Sequence, residues 1–66
     1  MKVEEKRKLE EKRMKMHMKQ EEIAEKVGIS RQYYNMILNG KRKPSVDLAK
    51  QLGTVLQIDW TIFFID

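Results

Sequence analysis

Cysteine is absent from the 66-residue chain, and histidine and proline occur once each, as His17 and Pro44. Without thiols there are no disulfide staples and no thiolate metal sites. With a single imidazole, no site built on several histidines is available, and His17 reads as a surface turn residue. Small secreted domains usually depend on staples, so the lack of cysteine points to the cytoplasm. No apolar run approaches the ~18 residues of a membrane span, and the basic N-terminus lacks the apolar segment of a signal peptide. Glycine is scarce as well, at Gly28, Gly40 and Gly53. No β-alternation persists over a strand length, and there is no internal repeat or low-complexity linker.

A chain of this size is one domain, residues 1–66, which buries only about 60% of the surface its unfolded form exposes. It has room for one small core and none for a separate effector-binding or catalytic domain. No cofactor, no membrane and no small-molecule effector is therefore expected. The thioethers of Met14, Met16 and Met18 would suit only a soft metal such as Cu(I), and they read as core filler and helix surface.

What the chain does carry is basic charge in two blocks. Residues 1–19 hold eight basic and four acidic side chains, and residues 41–50 hold four and one. The last sixteen residues hold no basic side chain and two acids. Such asymmetry suits an anionic partner on one face, although lysine-rich helices are commonly only solvated.

The pattern predicts short helices with explicit stops. Helix 1 is expected over Val3–Met16, rich in good helix formers, with Leu9 and Met16 as its apolar line. Helix 2 is expected over Gln20–Val27, where Ile23, Ala24 and Val27 share a face. Lys19 is a poor N-cap there. Gly28 can end helix 2 in the left-handed conformation, Ile29 can plug the core, and Ser30 can cap helix 3. Helix 3 is expected over Arg31–Asn39, with Tyr34, Ile37 and Leu38 inward and Arg31, Gln32, Tyr33, Asn35 and Met36 outward. After the loop from Lys41 to Pro44, Ser45 caps helix 4, Val46–Leu56, whose inward side is Leu48, Ala49, Leu52 and Val55 or Leu56. Gly53 costs that helix about 1 kcal/mol against alanine and implies a close helix approach. Asp59 can cap a last helix, Trp60–Phe64.

The run from Gln20 to Ser30, followed by Gly40-Lys-Arg-Lys-Pro-Ser45, resembles the Cro and lambda-repressor type of helix-turn-helix protein, also called the xenobiotic-response-element family. The likeness covers about residues 9–64. It includes the Gln-Glu-Glu-(apolar)-Ala opening of helix 2, the turn glycine Gly28, the cap Ser30 and the exit Gly40 to Ser45. It implies an all-α, compact five-helix bundle with a lambda-repressor-like DNA-binding fold.

The resemblance also implies roles. Helix 3 becomes the recognition helix, sized for the major groove of B-DNA, with Arg31, Gln32, Tyr33, Asn35 and Met36 as base-contacting residues. Arginine can pair bidentately with guanine and glutamine with adenine, and each such pair discriminates by about 1–3 kcal/mol. Arg31 can instead hold a phosphate, and Tyr33 can pack on a thymine methyl or reach a phosphate. Lys19, Gln20, Asn39, Lys41 and Lys43 fall at positions expected to contact phosphates, which set register without reading sequence. Two departures stand out: Leu38 occupies the site where family members often carry a glutamate paired with the residue at Arg13, and Lys19 occupies the cap.

Family members usually bind two-fold half-sites, and the apolar end of the chain exceeds what a small core can hide. A homodimer through Ile58, Ile62, Phe64 and Ile65 is therefore expected, with Trp60 and Phe63 closing the core. The expected function is a transcriptional repressor of bacterial, phage or mobile-element origin acting on double-stranded DNA. The runner-up is an antitoxin or adaptor in which the same domain grips a protein. Such proteins usually carry a further disordered tail, whereas this sequence stops at Asp66. With no cysteine, one histidine and no paired acids at a plausible cleft, an enzyme is not expected.

Overall fold

The computed structural model describes residues 3–64, and of Val3 the backbone alone. Within them lie four α-helices: α1 over Val3–Lys15, α2 over Gln20–Lys26, α3 over Arg31–Leu38 and α4 over Val46–Leu56. A 3₁₀ turn over Trp60–Phe64 follows. No strand occurs among the described residues. The expected fifth helix is thus this 3₁₀ turn. Five residues are too few to offset the cost of nucleating an α-helix. Its geometry follows from the bond Ile62 N–H donates to the Asp59 carbonyl, at 3.3 Å, which closes the tighter i to i+3 ring. The Asp59 carboxylate accepts from the Thr61 N–H at 3.0 Å, capping the segment as anticipated.

Each helix carries its own start and stop. Glu4 and Glu5 lie in the first turn of α1, and Lys12, Arg13 and Lys15 in its last, both complementing the helix dipole. His17 turns the chain out of α1 with φ 55°. Lys19 is the N-cap of α2, and its side chain makes no cap bond, since an ammonium has no acceptor. Glu22 compensates: its carboxylate accepts from the Lys19 backbone N–H at 3.0 Å, half of a capping box. The hydroxyls of Ser30 and Ser45 cap α3 and α4 as expected, accepting from Tyr33 N–H at 3.0 Å and Leu48 N–H at 3.1 Å. Gly28, at φ 76°, supplies the left-handed turn between α2 and α3.

One apolar core draws on every element. Leu9 of α1, Ile23 and Ala24 of α2, Tyr34, Ile37 and Leu38 of α3, Leu48, Ala49, Leu52 and Leu56 of α4 and Phe63 of the 3₁₀ turn are all buried. Met16, Ile29, Val55 and Trp60 pack against it while half-buried. Leu56 is therefore the inward residue at the end of α4. Trp60 only partly closes the core: Phe64 meets it edge-on, and the Lys50 ammonium lies 5.4 Å from its ring centroid.

Gly53 explains how the 3₁₀ turn docks. A Cβ at this position would stand 2.9 Å from Trp60 Cβ and 3.0 Å from the Ile58 carbonyl oxygen. The close neighbour is therefore the returning chain rather than another helix. The Gly53 carbonyl also accepts from Ile58 N–H at 2.9 Å, which locks this return.

Candidate nucleic-acid interface

The turn between α2 and α3 sets how α3 is presented. Ile29 N–H donates to the Ala24 carbonyl at 3.0 Å, and Tyr34 N–H to the Ser30 carbonyl at 3.0 Å. Ala24 is buried at the crossing, where its lone methyl lets the two helices approach. With Tyr34, Ile37 and Leu38 in the core, the helical period leaves Arg31, Gln32 and Asn35 exposed and Tyr33 and Met36 half-buried. The exposed stripe holds no acid.

Shallow depressions on this face show which side chains converge. Arg31, Gln32, Asn35 and Met36 line one. Ser30, Gln32, Tyr33, Met36 and Arg42 line a second. Arg13, Lys19, Gln20, Glu21 and Arg31 line a third, at the start of α2. Gln32 and Met36 are shared by the first two, so they occupy the middle of the surface. Arg42 was not among the expected contact residues. Its place in the basic loop was visible in sequence, but its approach to Gln32 and Tyr33 depends on how the loop folds back. There Lys41 and Arg42 donate their backbone N–H groups to the Met36 carbonyl, at 2.9 and 3.3 Å.

A polar chain borders the same surface and ties α1, α2 and α3 together. Arg13 donates to the Met18 carbonyl at 2.7 Å and to Glu10 Oε2 from Nη2 at 2.6 Å and from Nε at 3.2 Å. Gln20 Nε2 donates to the other Glu10 oxygen at 3.2 Å. Asn35 Nδ2 lies 3.5 Å from Gln20 Oε1, at the limit of a hydrogen bond. Asn39 Nδ2 donates to the Asn35 carbonyl at 3.0 Å and to Asn35 Oδ1 at 2.8 Å. Lys6 Nζ, from α1, completes the series at 2.7 Å from Asn39 Oδ1.

This chain accounts for the departure at Leu38. Arg13 takes its acid from one turn earlier in its own helix, at the i, i+3 spacing that lets helical side chains meet, and Leu38 is buried in the core. The hydrogen bond to Glu10 holds the Arg13 guanidinium above its ordinary pKa. Neither Glu10 nor Lys6 was among the expected site residues. The Glu10–Arg13 spacing was a usable signal; the approach of Lys6 to Asn39, 33 residues away, had none.

Tyr34 lies under this network, fully buried, and its hydroxyl has no hydrogen-bond partner. Burial, with a smaller contribution from the Glu10 charge, pushes the phenol up to about 12.

The remaining expected positions fall as follows. Lys19, Asn39, Lys41 and Lys43 are exposed and Gln20 is half-buried. Ile58, Ile62 and Phe64 are half-buried against the core, and Ile65 lies outside the described residues. Ile58 and Ile62 also floor a groove rimmed by Lys8, Glu11, Lys12 and Lys15 of α1. No group of three or more His, Cys, Asp or Glu side chains that could hold a metal ion occurs among the described residues.

A family model described as helix-turn-helix matches residues 9–63, a span that contains α2, the Gly28 turn and α3. The chain belongs to the helix-turn-helix family, of the Cro and lambda-repressor type. Among curated helix-turn-helix relatives, it is 50% identical over 58 residues to "Uncharacterized HTH-type transcriptional regulator YqaF" of Bacillus subtilis (strain 168), an alignment covering 88% of this chain and 76% of that protein. It is 32% identical over 54 residues to the "ImmF control region 10 kDa protein" of Bacillus phage phi105, covering 82% of this chain and 60% of that protein. No solved structure matches. Among the described residues, no helix is long and apolar enough to cross a membrane.

Proposed function

We propose that this protein is a sequence-specific, double-stranded-DNA-binding transcriptional regulator, a repressor that occupies an inverted-repeat operator as a homodimer with α3 in the major groove. The observation that carries the reading is the outer face of α3. It is exposed, free of acids and rich in donors, on a helix whose other side is anchored by Tyr34, Ile37 and Leu38. A helix of this width fits the major groove.

In this reading Arg31, Gln32, Tyr33, Asn35 and Met36 face the base edges, with Gln32 and Met36 central. Lys19, Gln20, Lys41 and Lys43 contact phosphates on either side, and Arg42 joins them beside Gln32. Asn39 stands at the phosphate-facing end of α3 with its amide already engaged by Asn35 and Lys6. The names of the two relatives, a transcriptional regulator and a phage control-region protein, support the same class of function.

The dimer is read from the C-terminal segment. Ile58, Ile62 and Phe64 are only half-buried, Ile58 and Ile62 line one groove, and exposed apolar surface marks an interaction site where it is contiguous. Pairing two copies there would present two copies of α3 to successive half-sites.

The test is the affinity of Gln32→Ala for the duplex that the wild-type protein selects, compared across all four bases at each position. Discrimination should collapse at one position per half-site, by about 1–3 kcal/mol, with the others retained. Unchanged discrimination at every position would remove α3 as the reading element.

A further inference from the structure

We propose that Lys6, on the first helix, binds a DNA backbone phosphate at the C-terminal end of α3, and that Asn39 is the residue that positions it. The inference rests on the DNA-binding reading above and adds to it a contact from outside the helix-turn-helix motif.

An amide offers two N–H donors and one carbonyl acceptor. Both of the bonds that Asn39 Nδ2 makes go to Asn35, one to its carbonyl and one to its Oδ1. That fixes the amide so that Oδ1 is the atom turned toward α1, and Lys6 Nζ sits on it at 2.7 Å. With its donors occupied, Asn39 presents an acceptor, and an acceptor repels a phosphate oxygen. The position that the family resemblance assigns to a phosphate therefore lacks a free side-chain donor.

Lys6 supplies what Asn39 lacks. Its ammonium carries three donors, and one of them is used on Asn39 Oδ1. No carboxylate of the described residues lies within ion-pair distance of it, the ion pair found among them being Arg13 with Glu10. The side chain is half-buried, so part of its stem is packed and its head is held rather than sweeping through solvent. Asn39 is itself braced through Asn35 toward Gln20, Glu10 and Arg13. The result is a held cation at the rim of the α3 face with donors to spare, the arrangement a phosphodiester oxygen requires. Because phosphate contacts position without reading bases, Lys6 contributes affinity and register and leaves base preference unaltered.

The experiment measures DNA affinity of the full chain over a salt series, on the selected duplex and on one of random sequence, for Lys6→Met, Lys6→Arg and Asn39→Ala. Lys6→Met keeps an apolar stem and removes the charge. It should weaken binding to both duplexes by the same factor and reduce the slope of log affinity against log salt by about 0.9 for each bound protomer. Lys6→Arg should restore the slope. Asn39→Ala, which keeps the charge and loses its anchor, should weaken both duplexes alike without altering base preference. A Lys6→Met protein that melts at a lower temperature yet keeps the wild-type slope would reduce the contact to a structural tether and overturn the proposal. A wild-type protein with no salt-dependent DNA affinity would overturn the DNA-binding reading itself, and the proposal with it.

Discussion

Replacing Gly53 with alanine distinguishes helix propensity from packing, because the two predict opposite signs. In a solvent-exposed helix interior the change should stabilise by about 1 kcal/mol. Here the new methyl carbon would lie 2.9 Å from Trp60 Cβ, 3.0 Å from the Ile58 carbonyl oxygen and 3.3 Å from Trp60 Cα. Two of these atoms are backbone and the third is the stem of a tryptophan, so none can swing aside as the tip of a flexible side chain would. Over-packing costs about 1–3 kcal/mol, and contacts this short with atoms that cannot give way put the cost in the upper part of that range, about 2–3 kcal/mol. Set against the propensity gain, the net loss should be about 1–2 kcal/mol. In a domain of this size each kcal/mol lowers Tm by about 4–8 °C, so thermal unfolding followed by far-UV circular dichroism should show a fall of about 5–15 °C. The same displacement would move Trp60, and with it Ile58 and Ile62, so self-association should weaken in parallel. A Tm equal to or above that of the wild type would refute the close approach of the 3₁₀ turn to α4.

Three further outcomes follow from the core and its edges. Tyr34→Phe removes a buried hydroxyl that has no partner, so it should leave stability unchanged or higher, since an unsatisfied buried group costs about 1–3 kcal/mol. The two proteins should also differ in alkali. Tyr34 is raised to about 12 in the folded state, against about 10 when unfolded. Below pH 10 the proton stays on in both states; from there to about pH 12 only the unfolded chain loses it, so wild-type stability falls as pH rises, by on the order of 2 kcal/mol. The phenylalanine variant lacks that loss, and parallel curves would contradict the buried phenol. Glu10→Ala strips Arg13 of its acid and Gln20 of an acceptor; urea unfolding should register a loss of about 1.5–3 kcal/mol, and a neutral result would mean the network is dispensable. Ile62→Asp, placed in the expected dimer surface, should yield a monomer in sedimentation equilibrium where the wild type associates, while an unchanged association state would put the contact elsewhere.

Much of this architecture could be read from residue spacing. The inward stripe of α3, the serine caps, the Gly28 turn and the α4 boundaries depend on contacts within a few residues, and local chemistry specifies those. The last segment was harder. An apolar five-residue run suits a short α-helix and a 3₁₀ turn equally, and the choice depended on bonds from Asp59. Gly53 marked a close approach without saying to what. The polar chain from Arg13 to Lys6 escaped for a different reason: its links join three helices, and only their packing brings Asn39 beside Lys6. The exposed face of α3 was legible because it is the complement of the core stripe. Arg42 is not distinguishable in the sequence, because three consecutive basic residues in a loop look alike until its fold brings one of them beside Gln32.

In the reading proposed here, α3 recognises a specific DNA sequence as part of a two-fold dimer. Selection of binding sites from a pool of randomised duplexes at physiological salt tests it most directly. Enrichment of an inverted repeat whose half-site centres lie about 10 base pairs apart is expected. Weak, salt-sensitive binding with no enriched sequence would contradict it, leaving the basic surface as a nonspecific one.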